Sequence, residues 1–236
     1  TIETPFGAPS DSIICGKING TDCAFIPRHG RGHVLTPSEV NYRANIWALK
    51  SLGVKAILSV SAVGSLREKI EPGHLVCPDQ FIDRTRGRAS SFFGEGIVGH
   101  VQFGEPIEEM FRQIVLDAAR SGESTVHDGG CYVCIEGPTF STRAESHLFR
   151  SWGADIVGMT NLPEARLARE AEIGYATLGL STDYDCWREG HDEVSVEAVI
   201  KIIRQNVRVA QDVIMSVCET LAGIGELHWP SHDALA

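Results

Sequence analysis

The chain has 236 residues, enough for one or two domains and a sizeable buried core. Lys plus Arg number 21 against 31 Asp plus Glu, a formal net charge of −10, which argues against the basic stripe a nucleic-acid binder needs. At 43% hydrophobic and 22% charged residues the composition excludes a disordered chain, and no apolar run approaches the ~20 residues of a membrane helix.

In chain order, short apolar and β-branched runs predict strands over 12–15 and 22–26. Thr36-Pro37-Ser38-Glu39 is a capping box with proline at the first helical position, and it predicts a helix running toward Ser51. Strands follow over 56–63 and 75–78, and the Gly-rich stretch 92–104 reads as a long surface loop of the kind that is often functional. After a strand over 131–135, Thr142-Arg143-Ala144-Glu145 is a second capping box, ahead of Leu148 and Phe149. A strand over 155–159 leads to a helix with Pro163 in its first turn that runs through Glu170, and a strand over 175–181 follows. On the last and longest helix Val196, Val199, Ile200, Ile203, Val207, Ile214 and Leu221 recur at helical spacing.

Strands alternating with amphipathic stretches predict an α/β fold with a largely parallel sheet, and the absence of a repeat or linker predicts one domain over 1–236. The seven cysteines are odd in number, scattered, and partly set in strand-like runs (Cys77, Cys131, Cys134). That fits reduced cytoplasmic thiols better than a disulfide framework. The chain opens on Thr1-Ile2-Glu3, with neither an initiator Met nor a signal-peptide pattern, so residues upstream of Thr1 are expected.

Three chemical-looking patterns are set aside. Gly94-Glu95-Gly96-Ile97-Val98-Gly99 matches a dinucleotide fingerprint by letter, but no strand feeds it and Gly104 and Pro106 follow closely. Cys131 and Cys134 resemble half a zinc knuckle without a second pair, and His29 and His33 have metal-ligand spacing with glycines between them and no third ligand; no metal is expected. Three others carry weight. Residues 26–33 place Arg28 and His29 among glycines at a strand end, which suits an oxyanion, although a solvated basic turn gives the same letters. Ser61-Ala62-Val63-Gly64-Ser65 offers backbone N–H groups and hydroxyls to an anion, as many strand ends do. Thr182-Asp183-Tyr184-Asp185 delivers two carboxylates two positions apart at the end of an apolar strand. Side by side in a partly buried site they repel, and at least one is then protonated near neutral pH and able to serve a leaving group. A solvated strand end, or an ion pair with Arg188, is the competing reading.

Arg28-His29-Gly30, Val40 through Lys50, Gly64-Ser65-Leu66-Arg67-Glu68, Asp79 through Thr85, Glu136 through Glu145 and Thr182 through Trp187 resemble, in order, the trimeric purine nucleoside phosphorylase family, nearest its 5′-methylthioadenosine branch. The likeness spans nearly the whole chain. It implies a phosphorylase-type α/β fold, a central mixed sheet flanked by helices on both faces. It also implies cleavage of a nucleoside by phosphate, with no cofactor, in a cytoplasmic homotrimer that two such rings could pair. By likeness Arg28, His29, Ser61, the Ala62 backbone and Thr160 hold phosphate. Asp183 faces purine N7, and with Asp185 it accepts from a 6-amino group; the branches acting on 6-oxopurines carry Asn at that first position. Phe140 lies against the base and Met159 beneath the ribose, while His33, Val196, Val199 and Ile200 form the 5′ pocket and His100 reaches a neighbouring subunit's site.

Two departures stand out. Gly158 occupies a position where the branch often has Asn. The family also begins with a strand and a Gly-rich phosphate loop about 30 residues before its Thr-Pro-Phe-Gly motif, far beyond an ordinary connection. Here Thr4-Pro5-Phe6-Gly7 stands almost at the start, so that strand and loop are expected to be missing from this stretch. The competing functions are a phosphorylase for 6-oxopurine or methylthioinosine nucleosides, a hydrolase of the same substrate, and an inactive nucleoside-binding trimer.

Overall fold

The expected strands all form, but they divide between two sheets. The computed structural model describes residues 2–188, 196–225 and 227–235, without the side chains of 196–205. Strands β1 (Ile14–Ile18) and β2 (Thr21–Phe25) pair only with each other, as an antiparallel hairpin. Asn19 and Gly20 both have positive φ (46° and 93°), the backbone a two-residue hairpin turn demands. The hairpin leans on the last helix, α5 (Val196–Ile224), where Asn19 donates to the Met215 carbonyl and Thr21 to that of Cys218.

The seven-stranded sheet adds β3 (Ala56–Ser65), β4 (Leu75–Cys77), β5 (Gln80–Arg84), β6 (Val126–Asp128), β7 (Cys131–Ile135), β8 (Ile156–Gly158) and β9 (Gly174–Asp183), in the order β5-β7-β8-β3-β9-β4-β6. It is mixed: β3 and β9 run parallel, as do β5, β7 and β8, while β4 opposes β9 and β8 opposes β3. Every residue of β9 before Asp183 is buried, so both its faces are covered, as its unbroken apolar run requires. Helices α2 (Glu109–Arg120) and α5 pack together against β9, and α4 (Asn161–Glu170) packs on β3 and β9 with α1 (Tyr42–Ser51) outside it.

Strand β8 meets β3 only at Gly64 and Ser65. Among the described residues, 56–63 of β3 are therefore paired on one side alone, by β9. A cavity of about 800 Å³ opens along that edge, between the hairpin, Val54, Leu58 and Leu221 of α5.

The two capping boxes behave differently. Thr142 caps α3 (Arg143–Ser151) with both reciprocal bonds to Glu145, as expected. Thr36 also bonds the Glu39 carboxylate, but what it closes is a turn, and the helix starts at Tyr42. Asn41 interrupts helical geometry (φ −81°, ψ 75°) and becomes the true cap, accepting from the Ala44 N–H. Helix α2 and the strands β5 and β6 had no counterpart among the expected elements.

Candidate active site

The parallel ladder of β3 and β9 carries two polar clusters, one along Ser59–Ser61 and one where the ladder ends at Gly64 and Asp183. At the first, Ser59 and Ser61 project from the same face of β3, their hydroxyls 3.4 Å apart. Ser61 donates to Asn161, whose amide donates in turn to Thr177 of β9. Arg28 reaches this row from three residues beyond β2: Nη2 donates to Ser59 (2.6 Å) and Nη1 to the Thr160 hydroxyl (3.3 Å). Its Nε and Nη2 grip both Glu164 carboxylate oxygens at 2.7 Å, and Tyr175 donates to the same carboxylate. Burial works against the charge on Arg28, but the Glu164 carboxylate outweighs it and holds the guanidinium above its ordinary value. Nη1 is the donor that faces Thr160 without a carboxylate on it.

His29 follows, its Nδ1 2.8 Å from the Leu35 carbonyl, which fixes Nδ1 as the protonated nitrogen. Burial lowers its pKa, with His33 and Arg28 adding to the effect, so the ring is neutral near pH 7. His33 stacks on it at 4.2 Å between ring centres. Among the described residues no three His, Cys, Asp or Glu side chains converge as metal ligands.

The second cluster lies past a register shift between Val63 and Gly64, which sets Gly64 opposite Asp183. A Cβ on Gly64 would stand 3.1 Å from the Asp183 carboxylate, so the glycine lets the acid come close. Asp183 accepts from the Thr182 hydroxyl and from the Asp185 N–H, both at 2.7 Å. Asp185 takes a positive φ of 49°, so the strand alternation that would align two side chains ends before it. Burial raises both carboxyls, Asp185 to about 6, and the repulsion of Asp183 is a smaller contribution. The competing ion pair is excluded: Arg188 pairs with Glu68 and lies over the Tyr184 ring. Asp185 lies among the Ser141 and Ser146 hydroxyls, whose hydrogen bonds to it offset part of the rise.

Met159 packs against the buried cluster that includes Val157 and Trp187, and Phe140 is 44% exposed. Ala62 is exposed on β3 beside Ser61. His100 is exposed on the long loop, and no contact among the described residues joins it to either cluster. Val196, Val199 and Ile200 have side chains outside the described residues.

Sequence reading missed several members. Glu164, Ser59 and Tyr175 form the shell that holds Arg28, and Asn161 joins Ser61 to Thr177. Glu164 stands in a helix's first turn, where the dipole alone favours an acid, so nothing in the sequence marks it as the partner of Arg28. Arg88, buried to 2% of its side chain, donates to the carbonyls of Glu136, Met159 and Leu162 at 2.6–2.8 Å and so ties the ends of β7 and β8 to the start of α4. Nothing in Arg86-Gly87-Arg88 signals that depth. Gly158 has a steric reason: a Cβ there would lie 2.0 Å from the hydroxyl of Tyr132, which fills the space a side chain would need.

A family model described as the phosphorylase superfamily matches residues 1–219. An S-methyl-5′-thioadenosine phosphorylase of Geobacter sulfurreducens is 59% identical over 214 residues, covering 90% of this chain and 75% of the relative. One from Synechocystis is 57% identical over 225 residues, covering 94% and 69%. Among solved structures, a methylthioadenosine phosphorylase from an antarctic soil metagenomic library superposes with a TM-score of 0.94 at 51% identity, covering 100% of this chain and 83% of the other. A methylthioadenosine phosphorylase from Schistosoma mansoni in complex with adenine gives 0.90 at 40% identity, covering 95% and 85%.

Proposed function

We propose, since the chain belongs to the phosphorylase superfamily, that it cleaves 5′-methylthioadenosine with phosphate, giving adenine and 5-methylthioribose 1-phosphate for purine and methionine salvage. It is a pentosyltransferase. The observation that carries this reading is the half-buried acid pair, Asp183 and Asp185, on the same β3–β9 ladder as Ser61 of the Arg28, Ser61 and Thr160 row. The relatives' names and the adenine held by a structural neighbour support it.

Rupture of the bond between C1′ and the purine leaves positive charge on the sugar and negative charge on the base, so a useful site answers both. In our reading Arg28, His29, Ser61, the Ala62 N–H and Thr160 hold phosphate below C1′, where it attacks and stabilises the sugar. No cofactor is needed. Asp183, raised by burial, gives or shares a proton at N7, and with Asp185 it accepts from the 6-amino group. A 6-oxo base would set acceptors against acceptors there, a mismatch that is costly in a buried site. Phe140 and Met159 flank base and ribose, and His33, Val196, Val199 and Ile200 receive the methylthio group. In the homotrimer we propose, His100 of one subunit completes its neighbour's site.

The test is adenine release with and without phosphate. Release from 5′-methylthioadenosine only when phosphate is present is the expected result. Release without phosphate would make the protein a hydrolase, faster cleavage of inosine a 6-oxopurine phosphorylase, and no release a binder.

A further inference from the structure

Away from the candidate active site, two cysteines meet. Cys23 of β2 and Cys218 of α5 hold their sulfurs 3.5 Å apart although 195 positions separate them in the chain. Cys23 is half-buried at the wall of the cavity along β3, and Cys218 is buried behind it. The hairpin and α5 are already tied beside them, because the Thr21 side-chain hydroxyl donates to the Cys218 carbonyl at 2.6 Å and the Asn19 side-chain amide to that of Met215 at 3.1 Å. A disulfide needs sulfurs about 2.05 Å apart, so closure asks the two sulfurs to approach by roughly 1.5 Å.

We infer that Cys23 and Cys218 form a dithiol modification site that a hydroperoxide converts into a disulfide, stapling the hairpin to α5. The two thiols have unequal roles. Burial pushes Cys218 up to about 12, with the Cys23 thiol adding to the shift, so Cys218 stays protonated while Cys23 meets solvent. Cys23 as thiolate attacks one peroxide oxygen, the O–O bond breaks, and the departing hydroxide takes a proton to become water, leaving a sulfenic acid. The Cys218 sulfur then attacks the sulfenyl sulfur. The S–S bond forms, the S–O bond breaks, and hydroxide leaves as water with the Cys218 proton. Two thiols lose two electrons and two protons, and one hydroperoxide is reduced to two waters or to water and an alcohol. A dithiol reductant reverses the step.

The cross-link joins the strand that leads into Arg28 to the longest helix, and it closes nearly the whole chain into one loop, the case in which a disulfide most restricts the unfolded state. It is independent of the substrate reading. The full chain, purified reduced and treated with a few equivalents of hydrogen peroxide, is expected to lose about 2 Da. Digestion without reductant then yields a peptide joining Cys23 to Cys218, dithiothreitol undoes both changes, and Tm rises by roughly 5 °C or more while linked. In Cys218→Ser the link and the Tm gain disappear, and Cys23 is trapped by dimedone as sulfenic acid. Oxidation of wild-type protein with no Cys23–Cys218 peptide, or a linked form whose Tm does not rise, would overturn the proposal. Both readings use the wild-type chain, so a poorly folding variant does not blur them.

Discussion

Asp185 shows how one backbone angle redirects a side chain that alternation would have aimed elsewhere. Its positive φ ends the strand alternation, and its carboxyl lies beside Ser141 and Ser146, where burial raises it to about 6 from 3.8. A carboxyl raised in the folded state binds its proton more tightly there than in the unfolded chain. Stability is therefore full below pH 4 and falls as pH climbs through 6. Asn tolerates the left-handed angle and carries no charge. Asp185→Asn is predicted to stabilise the fold by roughly 1–3 kcal/mol at pH 8 and by almost nothing at pH 3.5, while lowering activity. Urea titrations at the two pH values check this; an equal effect at both would remove charge burial as the cause. The acid pair itself was legible in the sequence. That burial outranks mutual repulsion was not, because it depends on which residues cover the strand end.

At the scale of elements, the same four-residue signature gave two outcomes, because a capping box needs a helix behind it. Thr142→Ala is predicted to cost about 1 kcal/mol and Thr36→Ala less than half of that, measured by chemical denaturation. Equal losses would mean that Thr36 supports α1 after all. Helix α2 went unread because Glu108 offers no side-chain cap, although Phe111, Val115 and Leu116 fall on one face. The Asn19-Gly20 hairpin went unjoined although its turn letters are among the clearest, since Cys-Gly-Lys-Ile beside it shows little apolar alternation. Strands β6 and β8, three residues each, are held by their neighbours in the sheet. Between β7 and β8, Tyr132 and Gly158 are complementary in volume. Gly158→Ala is predicted to lose about 3 kcal/mol or more through overpacking, and Tyr132→Leu to lose a comparable amount through a cavity. The double variant should lose clearly less than the sum. Additive losses in that cycle would show that the two side chains do not compete for the same space.

For the whole molecule, the order β8-β3-β9 matters most, because it sets Thr160 after β8, Ser61 on β3 and Asp183 on β9, from three distant stretches, on neighbouring strands. Alternating strand and helix patterns made an α/β fold legible. The mixed directions came only from the family resemblance, since β4 and β8 are too short for their own letters to fix which way they run. The network around Arg28 was half legible: its cation stood out, while its buried carboxylate partner came from 136 positions away. His100 is exposed in the single chain, and its proposed role in a neighbouring subunit is open to test. Sedimentation is predicted to give three copies per particle. His100→Ala is predicted to keep that particle while raising KM for 5′-methylthioadenosine several-fold; a monomer as active as any larger species would rule out the shared site.

In the proposed function the Asp183 carboxylate, with Asp185, accepts from the 6-amino group of the base. This contact is tested most directly by comparing kcat/KM for 5′-methylthioadenosine and 5′-methylthioinosine in the wild type and in Asp183→Asn, since the two substrates share the sugar and the 5′ group. The wild type should favour the amino base strongly, and the amide should shrink that preference by roughly 100-fold or more, as expected where a buried polar contact is mismatched. An Asn variant that keeps the wild-type ratio, whatever its rate, would contradict the assignment.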